Sequence, residues 1–289
     1  MYYLKNLYLT EDMIVDEKAR EFRDEMQSSF KVLIAPCELD AFRDYIKNDR
    51  DIIDDGMVMS YSEEILKYAR ALGIAALPCL RGALDAYEGF EFVIDDYTDM
   101  DCDYIDKSYR RLKNIPWDIL ETDRMIIREE TEDDVPALYK MYESEHIKRY
   151  IEPLCENIED EKSYVKKYRH YVYNMYEFGI WIAEDKVTHK IIGRMGLEPK
   201  TYEDGIKGVD MGYIIDAEYL RRGYCIEGCK AILEYARERL NLPEVYVIIR
   251  VDNEISQHIA EKLGFVYDKT ITDRNRTMKR YKIAFNQGI

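Results

Sequence analysis

Two adjacent arginines, Arg221 and Arg222, stand immediately before a predicted helix, where positive charge is unfavourable. Apolar residues recur at three- and four-residue steps from Ile226 to Leu240, which indicates an amphipathic helix. A helix start presents unpaired N–H groups and favours anions, and Gly223 lets the backbone approach a ligand closely. The pattern predicts a site for phosphate groups at this turn. The alternative is a solvated basic pair at a helix end.

The elements that would position this turn fall into two regions. In the first region, strands are predicted at 31–36, 56–60, 74–78 and 91–95, and helices near 38–48, 62–72 and 102–113. This alternation predicts a parallel or mixed sheet. The proline-containing segment 113–124 is the predicted junction between a small acidic α/β domain, residues 1–120, and a second domain, residues 121–289.

The second region contains longer runs of successive strands. Strands are predicted at 124–130, 180–185, 189–199, 208–216, 244–251 and 277–285, and helices at 132–144, 159–179, 224–240 and 253–263. Successive strands with short connections favour antiparallel pairing. The predicted fold class is therefore mixed α/β, with a mostly antiparallel sheet flanked by helices in the second domain.

Composition excludes several classes of function. The net charge of −16 argues against a nucleic-acid partner, because phosphates would be repelled, and it would attract a cationic substrate. No apolar run reaches the roughly 18 residues of a membrane span, and the first residues turn acidic too soon for a signal peptide. The six cysteines form no C-x-x-C pair and the four histidines form no metal set, so we expect a cytoplasmic protein without a metal. The sequence gives no indication of oligomeric state.

Three motifs follow one another in residues 125–289: the opening "MIIREETEDDVPALYKMYES", the segment "DMGYIIDAEYLRRGYCIEG" around the two arginines, and "NEISQHIAEKLGF". In these motifs and their order, residues 125–289 resemble the GNAT superfamily of acetyl-CoA-dependent N-acetyltransferases, in the branch of the ribosomal-protein N-terminal acetyltransferases. This resemblance implies transfer of an acetyl group from acetyl-CoA to a small-molecule amine, a protein N-terminus or a lysine, by direct attack in a ternary complex. A binding module that holds an acyl-CoA for regulation is the alternative.

The resemblance also implies cofactor-binding residues. The arginines and the turn that follows would face the phosphates of CoA, while strand backbone would face the pantetheine arm and polarise the thioester carbonyl. Asn253 would bind the pantetheine, with Ser256 on the same face. The implied set is Tyr213, Ile214, Ile215, Arg221, Arg222, Gly223, Tyr224, Cys225, Asn253 and Ser256.

Two positions depart from the family pattern. The first turn position, commonly Arg or Gln, is Leu220, and the usual acid tyrosine is replaced by Ala260. Because an ammonium has no lone pair, some group must accept its proton. Asp210 and Glu198 are the candidate bases, unless each is a solvated strand-end charge. Asp210 has the wrong strand parity to share the face of Tyr213 unless a bulge resets the register.

Two further features suggest roles. The family resemblance implies that the tyrosines of 164–176 flank the acceptor cleft, so they could contact a cationic amine or could serve only for packing. Residues 56–78 resemble the last acid motif of haloacid-dehalogenase-type hydrolases, but Tyr61 stands where these have an aspartate. The resemblance implies a degenerate half-domain without phosphatase chemistry. An independent docking domain is the alternative.

Overall fold

The protein divides into two compact units, Met1–Trp117 and Asp118–Ile289. A computed structural model describes residues 2–47, 49, 51–81, 87–90 and 93–285. The boundary between the units lies within the segment 113–124 that was predicted as the junction. No helix in these described ranges combines the length and the apolar character that a membrane span requires.

The first unit is built on a four-stranded parallel sheet with the strand order β2-β1-β3-β4. Its strands are β1 (Asn6–Thr10), β2 (Lys31–Ala35), β3 (Gly56–Ser60) and β4 (Ala75–Pro78). Its helices are α1 (Glu17–Met26), α2 (Leu39–Ile46), α3 (Asp51–Asp55), α4 (Glu63–Ala71) and α5 (Cys102–Leu112). β1, β3 and β4 are buried along their whole lengths, as expected for parallel strands covered on both faces. The predicted α/β class is confirmed, and β1 is a strand that the sequence did not predict.

The predicted strand 91–95 is not a regular strand. Ile94 forms an isolated parallel bridge with Cys79, whereas residues 91 and 92 lie outside the described ranges. Tyr61 follows β3 directly, and its ring lies 5.1 Å from the guanidinium of Arg81. The resemblance of this unit to a degenerate hydrolase half-domain stays a prediction.

The second unit is an eight-stranded sheet with the order β11-β12-β10-β9-β8-β7-β6-β5. Its strands are β5 (Asp118–Glu121), β6 (Met125–Arg128), β7 (Ile180–Asp185), β8 (Ile191–Thr201), β9 (Lys207–Ile215), β10 (Glu244–Arg250), β11 (Val266–Asp273) and β12 (Arg276–Ala284). All neighbouring strands are antiparallel except β9 and β10, which are parallel. The predicted mixed, mostly antiparallel sheet is confirmed.

Helices cover both faces of this sheet. They are α6 (Val135–Tyr142), α7 (Glu145–Tyr150), α8 (Ile158–Tyr168), α9 (Asn174–Tyr176), α10 (Tyr224–Glu238) and α11 (Glu254–Lys262). The buried stripe of α10 packs in the main core, whereas α6 and α7 pack over Ile182 on the opposite face. A π-helical segment, Arg169–Tyr173, follows α8, so the tyrosine-rich helix is not one regular α-helix.

Strand register fixes which side chains share a face. β8 and β9 pair without a register shift, so Glu198 lies directly opposite Asp210 and Gly196 opposite Gly212. Side chains alternate along a strand, which places Asp210 on the pleat opposite to Tyr213. This ladder, all of whose residues are described, lacks a bulge that would reset the register.

Candidate active site

The turn before α10 has the backbone of an anion site. Arg221 has a φ of 60° and Gly223 a φ of 86°, both in the left-handed region. Gly223 is the N-cap of α10 and offers no side-chain acceptor to the first amides of the helix. Arg221 and Arg222 are exposed beside these amides. The predicted residues of the turn, through Tyr224 and Cys225, thus lie together around a helix N-terminus that lacks a capping side chain.

A buttress of three residues, Thr122, Arg124 and Glu227, supports this turn. Arg124 donates to Glu227 at 2.7 Å through Nε and to the carbonyl of Arg222 at 3.0 Å. Its guanidinium lies 4.0 Å from the ring centroid of Tyr224, and Thr122 also donates to Glu227 at 2.6 Å. Burial would raise the pKa of Glu227, but the bonds from Thr122 and Arg124 outweigh it and lower that pKa. The sequence did not predict Arg124, because it lies about a hundred residues from the turn.

If acetyl-CoA binds at this turn, as the family resemblance implies, Arg124→Ala is expected to weaken that binding by about 1–2 kcal/mol, or about 5- to 30-fold, because the turn loses charged hydrogen bonds that hold its backbone. Arg124→Lys should recover only part of the affinity, since an ammonium cannot reproduce the guanidinium fork. Calorimetric titration with acetyl-CoA measures both losses. Equal affinity of Arg124→Ala and the unchanged protein would show that the buttress does not shape the turn.

An opening in the hydrogen-bonded ladder separates the second half of β9 from β10. The only register pair between β9 and β10 in the described part of the chain is Asp210 with Tyr246. Beyond that pair, the backbone of β9 from Met211 to Ile215 lies next to β10 without a ladder, so half of its amide and carbonyl groups point into the opening. A ligand with amide groups, such as a pantetheine arm, can bond to such an edge. Tyr213, Ile214 and Ile215 lie in this segment.

Asn253 and Ser256 sit at the start of α11. Asn253 is its N-cap and accepts the N–H of Ser256 through Oδ1 at 3.1 Å. The carbonyl of Ser256 accepts the hydroxyl of Tyr213 at 3.0 Å, which joins this helix start to β9. Asn253 Oδ1 therefore has a capping role, which leaves its amide nitrogen to bind a ligand.

A cavity of about 370 Å³ adjoins the same stretch of β9. Its lining includes Tyr164, Arg194, Glu198, Gly212, Tyr213 and Ile214. The wall is mixed and contains apolar side chains, tyrosine rings, three carboxylates and two guanidinium groups. Arg194 is itself paired with Glu130 at 2.8 Å, while burial raises the pKa of Glu130 to about 7. The cavity therefore offers carboxylate and aromatic faces that suit an amine.

Glu198 is oriented by a short hydrogen-bonded chain. The N–H of Ile180 donates to the hydroxyl of Tyr168 at 2.9 Å, and that hydroxyl donates to Glu198 Oε1 at 2.7 Å. Since Tyr168 accepts from the backbone, its own proton is directed at Glu198. Among the described residues, none donates to Glu198 Oε2.

Asp210 lies next to Glu198, but it is not among the described residues that line the cavity. Its Oδ1 accepts the hydroxyl of Tyr202 at 3.0 Å, and Lys200 Nζ lies 4.0 Å from Oδ2. Burial raises the pKa of Asp210 to about 7, against the opposing effects of Lys200 and Tyr202, and the charges of Glu198 and Asp273 add to the rise. The two candidate bases thus form a cross-strand pair with only Glu198 open to the cavity.

Ala260 is fully buried in the core and supplies no hydroxyl. The described residues also include no cluster of His, Cys, Asp or Glu that could hold a metal ion.

Comparison with known proteins agrees with this geometry. The family model of the acetyltransferase (GNAT) domain matches residues 124–266. The chain is 31% identical over 107 residues to the uncharacterized protein YkkB of Bacillus subtilis (strain 168), covering 37% of this chain and 62% of that protein. It is 28% identical over 149 residues to the uncharacterized N-acetyltransferase YoaA of the same organism, covering 51% of this chain and 82% of that protein.

A solved structure has a similar fold. It is the ribosomal L7/L12 alpha-N-protein acetyltransferase RimL, with a TM-score of 0.50 and 15% identity, and the match covers 59% of this chain and 96% of that chain. At this identity the likeness concerns the fold alone.

Proposed function

We propose, from the match of residues 124–266 to the acetyltransferase (GNAT) domain model, that the protein transfers the acetyl group of acetyl-CoA to an amine by direct attack. The observation that carries the proposal is the continuity of three features along β9: the uncapped helix start, the opening between β9 and β10, and the cavity with Glu198 in its wall. The acceptor is a small-molecule amine, a protein N-terminus or a lysine.

Each region has a proposed role in that reaction. The phosphates of CoA bind at Arg221, Arg222 and the amides that begin α10, as anions do at helix starts. The pantetheine arm bonds to the open edge of β9 and to Asn253. A β9 amide near Ile214 polarises the thioester carbonyl, because a fixed donor stabilises the charge that develops there.

We assign the base to Glu198 in preference to Asp210. Glu198 lines the cavity and its Oε2 receives no hydrogen bond from the described residues, whereas Asp210 is not among the described residues of the cavity wall. With Ala260 in the core, the leaving thiolate takes its proton from solvent or from the amine itself. A CoA thiol is a sufficiently good leaving group for that route.

The test is release of CoA from acetyl-CoA in the presence of polyamines, aminoglycosides, amino acids and basic peptides. Amine-dependent release by the full chain is the expected result. Tight binding of acetyl-CoA without release by any amine would instead support the acyl-CoA-binding regulatory module, which the missing tyrosine at Ala260 favours.

Arg221→Ala combined with Arg222→Ala is expected to weaken CoA far more than pantetheine, because charge-assisted bonds to phosphate contribute about 1.5–3 kcal/mol each and pantetheine carries no phosphate. Dephospho-CoA, which lacks only the 3′-phosphate, separates contacts to that group from contacts to the pyrophosphate. Calorimetric titration with the three ligands gives the comparison. Equal losses for all three would mean that neither arginine touches phosphate.

A further inference from the structure

Glu198 and Asp210 lie directly opposite each other on the adjacent strands β8 and β9. Directly opposed residues of antiparallel strands have Cβ atoms about 4.5–5.5 Å apart, so these two side chains are neighbours. Burial raises the pKa of Asp210, and the nearby charge of Glu198 adds to that rise, because two like charges this close resist ionising together. Only one member, Glu198, reaches the cavity.

We propose, resting on the function above, that the two carboxylates act in sequence on one proton: Glu198 takes it from the acceptor ammonium, and Asp210 receives it from Glu198. In the first step an N–H bond of the ammonium breaks and an O–H bond forms on Glu198 Oε2. In the second step that O–H bond breaks and one forms on Asp210. Glu198 is the catalytic residue and Asp210 is a positioning residue, because it touches no substrate.

The position of Asp210 gives a reason for the proton transfer from Glu198, which we call the hand-off. During turnover the acceptor and the thioester fill the cavity, so a proton on Glu198 has no direct path to water. The side chain of Asp210 retains 17% exposure outside the cavity wall, which gives the proton an exit to solvent. Overall, an ammonium and acetyl-CoA yield the amide, CoA thiol and one proton, and that proton is the one that leaves through Asp210.

The groups around the pair set its charge balance. Asp210 faces Glu198 and Lys200 from β8, Tyr202 from the loop after β8, and Asp273 through its 3.2 Å contact with Lys200. Arg280 from β12 lies 4.9 Å from the ring centroid of Tyr202, Tyr246 from β10 is the register partner of Asp210, and Tyr168 from α8 donates to Glu198. Lys200 is shared between two aspartates, so it neutralises Asp210 only in part.

Asp210→Asn tests the hand-off, since the amide keeps the shape and the acceptor atom for Tyr202 but cannot take a proton. With the amine that gives the fastest CoA release in the panel above, kcat of the unchanged protein should fall as pH drops below about 7, where Asp210 already holds a proton. In Asp210→Asn the fall in kcat below about pH 7, the acid limb of the pH profile, should disappear. Above pH 7 the kcat of this variant should be about tenfold lower than that of the unchanged protein, a smaller loss than the 10²–10⁴ that the base itself contributes. Asp273→Asn is the matched control, because Asp273 contacts Lys200 rather than Glu198. This variant should keep the fall in kcat near pH 7.

A second readout needs no acceptor. In the full chain with ¹³C-labelled carboxyl groups, an NMR titration should show one carboxyl group with a midpoint near pH 7 that is absent in Asp210→Asn and moves to lower pH in Glu198→Gln. Absence of such a group, or a midpoint that Glu198→Gln does not move, overturns the coupled pair. If no amine releases CoA, the proposed function is contradicted, and the NMR titration alone then decides whether Glu198 and Asp210 interact. An unchanged pH limb in Asp210→Asn, with an active amine, overturns the hand-off.

Discussion

Glu198→Gln is expected to lower kcat for acetyl transfer by about 10²- to 10⁴-fold, the usual contribution of a positioned base. Glutamine keeps the size of the side chain and can still accept from Tyr168, so the hydrogen bond that orients this position survives. What the change removes is the proton acceptor at Oε2. The measurement is steady-state CoA release as a function of amine concentration at several pH values.

Two results separate loss of a base from loss of structure. The affinity for acetyl-CoA should be nearly unchanged, because the cofactor is held by the turn and the β9 backbone rather than by Glu198. The deficit in kcat should shrink as pH rises, because more of the amine is then already neutral. If Glu198→Gln and Asp210→Asn both retain near-full kcat, solvent accepts the proton and the site acts mainly by positioning the amine against the thioester.

Some features of the candidate site could be predicted from the sequence, whereas others depend on contacts between distant parts of the chain. The turn before α10 could be singled out because its signal is local: two arginines, a glycine and a helix start occupy a few consecutive residues. That this turn binds phosphate stays a prediction. Strand parity also correctly warned that Asp210 and Tyr213 lie on opposite faces. Our preference for Glu198 over Asp210 as the base could not be reached from the sequence, because it depends on Tyr168 from another helix and on which side chain lines the cavity.

Other parts of the structure escaped prediction for related physical reasons. β1 reads "NLYLT", a short run with polar residues at both ends, and its status as a central strand comes from neighbours that follow it in the chain. β11 is an edge strand with mostly polar residues, so it lacks the apolar alternation that marks a strand. Arg124 contacts the turn before α10, at the carbonyl of Arg222, only because β5 and β6 bring it beside that helix.

Gly196→Ala is expected to destabilise the second unit by about 3 kcal/mol or more, at or above the upper end of the usual range for overpacking. A Cβ atom on Gly196 would lie 2.0 Å from the carbonyl oxygen of Gly179 and 2.8 Å from the Cα of Ile180. Both are backbone atoms of the neighbouring strand region, so no side chain can rotate away. The same carbonyl accepts the N–H of Leu197 at 3.0 Å, and relief of the clash would stretch that bond.

The matched control is Gly212→Ala, because Gly212 is the cross-strand partner of Gly196 on the same face. A Cβ atom there would meet only the Cδ1 atom of Ile180, at 3.1 Å, which a small side-chain rotation relieves. We therefore expect a loss of less than about 1 kcal/mol, within the range of tolerated core changes. Urea unfolding of both variants, followed with a probe in the second unit, compares the losses. Similar free energies of unfolding for the two variants would mean that β7 and β8 can separate at Gly196 without cost, and the close backbone approach would then not explain this glycine.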